Sequence, residues 1–245
     1  MRKIQLVLVA LIVLILSAFK ADHVITIYMI GDSTMSNKPL EGNNQERGWG
    51  HVLGSFFTED VRVENHAMNG RSSKSFIDEG RWETVVNKIR PGDYVFIQFG
   101  HNDEKPQPER HTDPGTTFDE NLRKFVRETR AKGGIPVLFN SIVRRNFGVN
   151  PDAVAADDIR PEKDEAVVEG DTLIDTHGKY LESPRNVAKE MDVCFIDLNQ
   201  ATKKLVESYG VEGSKKLFMW IPADTYAACP KGRQDNTHLN IYGCA

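Results

Sequence analysis

Four short polar clusters carry residue types that could do acyl chemistry: Gly31-Asp32-Ser33, Asn69-Gly70-Arg71-Ser72, Gly100-His101-Asn102-Asp103 and Asp235-Asn236-Thr237-His238. A serine hydroxyl becomes a nucleophile only with a base to take its proton, a group to orient that base and donors for the oxyanion. Asp235 and His238 stand three apart, which in a helical turn or tight loop puts both side chains on one side. The aspartate can then accept from the imidazole Nδ1–H, leaving Nε2 to take the serine proton. Each cluster alone has a plainer reading. Gly-Asp-Ser after a strand is more often a polar turn, Asn102 can cap a turn, and Gly70 can supply a positive φ. Any one of the seven histidines is more often a surface or hydrogen-bonded residue than a base. The clusters argue for a site because they occur together, and three of them each follow a strand.

Five segments read as strands: 24–30 (VITIYMI), 61–67, 93–99, 135–141 and the VCFIDL stretch that contains Cys194. They are β-branched and aromatic, and Gly31, Asn69-Gly70 and Gly100 follow the first three. Helices are expected between them: a short glycine-interrupted one at 48–57, then 75–90, 116–132, 176–191 kinked or split in two by Pro184, and 199–209. Residues 144–175 are polar and broken. Strands alternating with helices predict an α/β fold, a three-layer α/β/α sandwich around a five-stranded parallel sheet. Ligands bind outside the carboxyl ends of such strands, where the three strand-end clusters would gather.

A chain of 245 residues suits one large domain better than two. With 35 acidic against 31 basic residues and no basic cluster, nucleic acid is not an expected partner. At the start, a basic MRK head, the apolar run at 6–16 and the small residues of SAFKA form a secretory signal-peptide pattern over 1–21. Cleavage after Ala18 or Ala21 would free the single domain at 22–245, secreted or periplasmic with no stable membrane association. The run is shorter than the roughly 20 apolar residues of a membrane-spanning helix. Export puts Cys194, Cys229 and Cys244 in an oxidising compartment. Cys194 is expected as a buried strand residue. Cys229 and Cys244, fifteen apart, could close a loop worth about 3 kcal/mol.

GDST at 31–34, the glycine of NGRS at 69–72, GHND at 100–103 and DNTH at 235–238 resemble the four motif blocks of the SGNH (GDSL-type) hydrolase superfamily. The spacing is most similar to its rhamnogalacturonan acetylesterase family. The likeness extends through ERGWG (46–50), NSIVRRNF (140–147), DTHGKY (175–180) and FIDLNQAT (195–202). It implies a flavodoxin-like SGNH hydrolase fold and a serine esterase, without metal or other cofactor, that removes acetyl groups from a pectic polysaccharide. By the resemblance Ser33 is the nucleophile, His238 the base and later acid, and Asp235 its orienting partner. The oxyanion donors are the Ser33 and Gly70 backbone N–H groups and the Asn102 side-chain amide. The family usually continues into a terminal helix, whereas this sequence ends seven residues after His238, so the expectation is a domain lacking that helix. Arg71, Trp49, Trp220 and Arg233 are candidates for holding an anionic, sugar-based substrate by stacking and charge. Core tryptophans and surface arginines are equally ready readings of the same residues.

Rival functions use similar residues. A metal-dependent phosphoesterase would need closely spaced ligands, and His66 with His101 is too little. Deacetylation of another polysaccharide such as xylan, an O-acyltransferase using the same triad, and a non-catalytic carbohydrate binder remain as alternatives. The sequence leaves the oligomeric state open.

Overall fold

A computed structural model describes residues 24–147 and 172–244. The leader pattern with its two cut sites, and most of the excursion at 144–175, lie outside the described residues. Five strands form one parallel sheet: β1 (Ile25–Gly31), β2 (Val61–Asn65), β3 (Tyr94–Gln98), β4 (Ile135–Phe139) and β5 (Cys194–Ile196). Their order is β2-β1-β3-β4-β5, so the winding direction reverses between β1 and β3. That switch point opens a crevice at the carboxyl ends of the strands, and Ser33 and Asn102 lie just past the ends of β1 and β3.

The two-residue period of the strands divides their apolar side chains between two faces. On one face Tyr28, Ile30, Val95, Ile97, Phe99 and Leu138 join a single core. It is covered by α2 (Ser73–Asp78), α3 (Arg81–Val86), α4 (Thr117–Ala131) and α5 (Glu182–Met191). Phe118, Leu122, Phe125 and Val126 of α4 recur at helical spacing and are fully buried. On the other face Ile27, Met29, Tyr94 and Phe96 pack with Met35, Trp49 and Leu53, the last two in and just after α1 (Trp49–Val52). A third core gathers Val206 of α6 (Leu198–Gly213), Phe218 of β6 (Phe218–Ile221) and Leu239 of β7 (Arg233–Leu239). A four-residue α7 (Ile241–Cys244) closes the described chain.

Several local expectations change. The helix expected at 75–90 is two helices, because Gly80 adopts φ +69° between them. The first begins at Ser73, where Ser72 and Ser75 exchange the two bonds of a capping box. The segment expected at 176–191 comes in two pieces, a 3-10 turn at Gly178–Leu181 and then α5 from Glu182, so Pro184 sits in the first turn of α5, where no intrahelical N–H is needed. Cys194 is exposed rather than buried, since β5 is a three-residue edge strand paired only with β4. Cys229 and Cys244 are both free thiols. Strand β7 lies between them, and the Cys244 thiol donates to the Arg47 carbonyl at 3.1 Å.

Candidate active site

The turn after β1 is built by Asp32, which is fully buried. Its Oδ1 accepts from the Thr34 N–H at 2.8 Å and the Thr34 hydroxyl at 2.7 Å, and its carbonyl accepts from the Ser36 N–H at 3.1 Å. Behind it Gln98, the last residue of β3, donates to Thr34 Oγ1 at 3.0 Å and accepts from the Trp49 indole N–H at 2.7 Å. Burial raises the Asp32 carboxyl, but the neighbouring His101 and the Thr34 donors outweigh it and hold the pKa below the ordinary value. The turn therefore holds Ser33 half-buried at the rim of the crevice.

The opposite wall comes from the far end of the chain. Strands β6 and β7 are antiparallel, with Phe218 facing Leu239 and Trp220 facing Gln234. Two steps along β6 thus match five along β7, and residues 235–238 bulge out of the pair. Asp235 pins the bulge: Oδ1 accepts from the Thr237 N–H at 2.7 Å and the His238 N–H at 2.9 Å. Its other oxygen, Oδ2, lies 2.7 Å from His238 Nδ1 and also accepts from Arg233. His238 Nε2 lies 2.9 Å from Ser33 Oγ. Burial opposes ionisation of Asp235, yet the His238 hydrogen bond and charge and the Arg233 charge win, and its pKa is strongly lowered. A permanent carboxylate facing Nδ1 selects the tautomer with Nδ1 protonated, which leaves Nε2 as an acceptor for the serine O–H.

Two further loops bring donors to the same edge. Gly70 follows β2 with φ +74°, a conformation that suits glycine. Among the described residues, neither the Ser33 nor the Gly70 N–H is spent on an acceptor. Asn102, buried after β3, donates from Nδ2 to the Arg71 carbonyl at 3.1 Å, which ties the amide to the Gly70 loop. Gly100 must be small there, because a Cβ would stand 2.4 Å from Ser141 Oγ. Asp103 locks the two loops together, accepting from the Gly100 N–H at 3.1 Å, the Ser73 N–H at 3.0 Å and the Thr112 hydroxyl at 3.0 Å. Burial pushes this carboxyl up to about 7 against the pull of its donors. Beside Gly70 opens a cleft of about 410 Å³ lined by Gly70, Arg71, Ser75, Asp78, Glu79 and Arg110.

The geometry thus gathers Ser33, Gly70, Asn102, Asp235 and His238 at one edge of the sheet. Three of the four expected substrate contacts are already engaged within the protein. Trp49 packs 5.4 Å from Phe139 and serves the wall behind the Ser33 turn. Trp220 donates to Asn236 at 2.9 Å, and Arg145 and Lys215 lie over its ring, so its π-surface is already engaged. Arg233 turns inward to Asp235 and to Glu46, 2.5 Å away. Arg71 alone lines the cleft, paired with Glu79 at 3.0 Å. Sequence reading passed over Glu46, Lys38 and Gln98. The last had a signal, since a glutamine closing an apolar buried strand needs a partner. Among the described residues no group of three or more His, Cys, Asp or Glu is placed to hold a metal ion.

Residues 29–240 match the model of the GDSL-like Lipase/Acylhydrolase family. Rhamnogalacturonan acetylesterase RhgT of Bacillus subtilis is 39% identical over 219 residues, covering 89% of this chain and 84% of RhgT. The probable rhamnogalacturonan acetylesterase YesY of the same organism is 31% identical, covering 91% of this chain and 87% of YesY. Among solved structures, protein YxiM of B. subtilis superposes with a TM-score of 0.67 at 26% identity, covering 90% of this chain and 52% of YxiM. The chain therefore spans about half of YxiM's length. A catalytic mutant of the acetylxylan esterase Axe2 from Geobacillus stearothermophilus shares the fold, at TM-score 0.54 and 18% identity over 90% of this chain and 89% of Axe2. With a family match along most of its length, three of the family's motif blocks at the ends of the parallel strands and the fourth on β7, the chain belongs to the GDSL-like, or SGNH, hydrolases and is a carboxylic ester hydrolase.

Proposed function

We propose that the chain releases acetyl groups from an acetylated pectic carbohydrate of the rhamnogalacturonan type, through an acyl-enzyme on Ser33. The observation that carries this reading is the continuous relay from Asp235 Oδ2 through His238 to Ser33 Oγ, with steps of 2.7 and 2.9 Å. Ser33 Oγ attacks the ester carbonyl carbon as His238 Nε2 takes its proton, and Asp235 stabilises the imidazolium. The Ser33 and Gly70 N–H groups and the free hydrogen of the Asn102 amide stabilise the oxyanion. Collapse expels the sugar oxygen, which takes the proton back from His238. Water, deprotonated by the same nitrogen, then attacks the acyl carbon and frees acetate and Ser33.

The substrate class rests on RhgT and YesY, whose names state rhamnogalacturonan acetylesterase and which align along most of this chain. The cleft beside Gly70, with Arg71 and Arg110 in its lining, offers a saccharide chain a mostly apolar wall edged by charged groups. The leader pattern adds the proposal that the enzyme acts outside the cytoplasm, on polymer it meets there.

The test has two parts. A phosphonate ester should label Ser33, and Ser33→Ala should lose both the label and acetate release; labelling elsewhere, or unchanged hydrolysis, rejects the nucleophile. Acetate release should be faster from acetylated rhamnogalacturonan than from acetylated xylan. The reverse order makes it a xylan deacetylase, and acetyl transfer to an added sugar outrunning hydrolysis makes it an acyltransferase.

A further inference from the structure

We propose that Glu46 and Arg233 are positioning residues that tune the proton affinity of His238, Arg233 orienting Asp235 and Glu46 cancelling the charge that Arg233 brings. The inference rests on His238 being the base of the reaction above. Arg233 donates to Asp235 Oδ2, the oxygen that also faces His238 Nδ1, and its Nη2 stands 3.3 Å from that ring nitrogen. Both groups are donors converging on one oxygen. A guanidinium there fixes the carboxylate in place, but it also opposes a positive imidazole. Glu46 answers it on the other side, 2.5 Å from Arg233 Nη1, and is itself held by Lys38 at 2.7 Å.

Three members of the chain of alternating charge are shielded, the side chains of Lys38, Glu46 and Asp235 being 2%, 13% and 3% exposed, while Arg233 between them is 26% exposed. Backbone contacts fix the approach, since Glu46 bridges Asn240 and the Arg47 N–H donates to the Leu239 carbonyl at 3.0 Å, directly after His238. Lys38 is anchored by Asn69 Oδ1 at 2.6 Å and by its own N–H to His51 Nδ1 at 3.2 Å. Burial works against the Arg233 charge, yet Asp235 and Glu46 raise its pKa above the ordinary value. Burial likewise opposes Glu46, and His238, Lys38 and Arg233 lower its pKa in spite of it. The ionisable groups around the imidazole are thus Asp235 and Arg233 from its own strand and Glu46 with Lys38 from the segment after β1. Asp32 and His51 lie beyond Lys38, and the nearby Cys244 thiol is pushed up to about 12 by burial and stays neutral.

The two residues should therefore move the pH profile in opposite directions. The assay is hydrolysis of 4-nitrophenyl acetate by the full chain, with kcat and KM measured across pH. Arg233→Gln should displace the acid limb of kcat/KM upward by about one pH unit, and Glu46→Gln downward by a similar amount. The double variant should return near the wild-type limb. KM should change less than twofold in each, because neither group faces the ester. Arg233→Lys and Glu46→Asp keep the charges and should keep the limb, which separates charge from folding if a neutral variant proves unstable. Limbs that stay put, or move the same way in both single variants while melting temperatures fall, would reduce the pair to a structural clamp. Ser33→Ala serves as the control on the underlying reading. If it abolishes turnover while the charge variants leave the limb unmoved, this inference alone fails.

Discussion

Asn102 shows how one side chain can hold two tasks in a single amide. One Nδ2 hydrogen goes to the Arg71 carbonyl at 3.1 Å, so the amide stands beside the Gly70 loop with its other hydrogen uncommitted. An amide donates without bringing a net charge that would disturb His238. Asn102→Ala should lower kcat about 10²–10³-fold with little change in KM, since the donor matters once the oxygen carries charge. Asn102→Asp is the sharper comparison, because a carboxylate would repel the oxyanion. Steady-state kinetics on a small acetyl ester measure both, and a loss expressed mainly in KM would remove Asn102 from the oxyanion site. Arg233 gives the opposite lesson at this scale. Its residue type suits an anionic ligand, but its partners Asp235 and Glu46 are two and nearly two hundred positions away, and no local pattern announces the second.

At the scale of elements, the bulge of β7 does what a helical turn or loop was expected to do. Asp235 uses Oδ1 to build the bulge and Oδ2 to orient the imidazole, and the two duties can be separated by mutation. Asp235→Asn keeps an oxygen for the Thr237 and His238 N–H groups but turns an NH₂ toward Nδ1. The wrong tautomer then faces Ser33, and kcat should fall about 10⁴-fold, while the melting temperature falls as well because Arg233 loses its carboxylate partner. Asp235→Ala loses the bulge as well, so its melting temperature should drop further; equal melting temperatures for the two variants would deny Oδ1 its role. The strands were legible because apolar runs that stop at Gly31, Asn69-Gly70 and Gly100 leave few other readings. The spacing of Asp235 and His238 was legible for the same local reason. Less so were the split at Gly80, whose left-handed conformation depends on how α3 returns to the sheet, and the pairing of β6 with β7, which is set by packing against α6. Cys194 misled because an apolar strand sequence does not reveal an edge position.

Across the whole molecule, a buried polar seam lies behind the Ser33 turn and should govern stability toward acid. His101, fully buried, lies 3.5 Å from Asp32 and edge-on to His177 at 4.6 Å between ring centroids. His177 meets Glu104 at 2.9 Å, and Glu104 pairs with Arg144, whose side chain is 1% exposed. Burial lowers the His101 pKa to about 4, against the pull of Asp32. Burial would raise Glu104, but His177 and Arg144 overcome it and bring the carboxyl to about 2. Both folded values lie below the ordinary ones, so each group favours the folded state at neutral pH and loses that contribution as pH falls. For His101 the loss runs from about 6.5 down to about 4, as the unfolded chain takes up a proton that the folded chain refuses. For Glu104 it runs from about 4.5 to about 2, and a displacement of that size corresponds to about 3 kcal/mol. Asp103 works the other way, because its raised carboxyl takes up a proton first in the folded chain. It therefore offsets His101 between about pH 7 and 4, and the melting temperature should hold there before falling through the Glu104 range. His101→Gln removes the opposing loss, so its melting temperature should rise relative to the wild type's as pH falls from about 6.5 to 4, with the lower part of the profile unchanged. Glu104→Gln should flatten the lower part, while costing stability at neutral pH by leaving Arg144 buried without its carboxylate. Thermal unfolding of the three proteins between pH 2 and 8 decides it: parallel curves would mean that the seam is a spectator, and that acid acts on the molecule elsewhere.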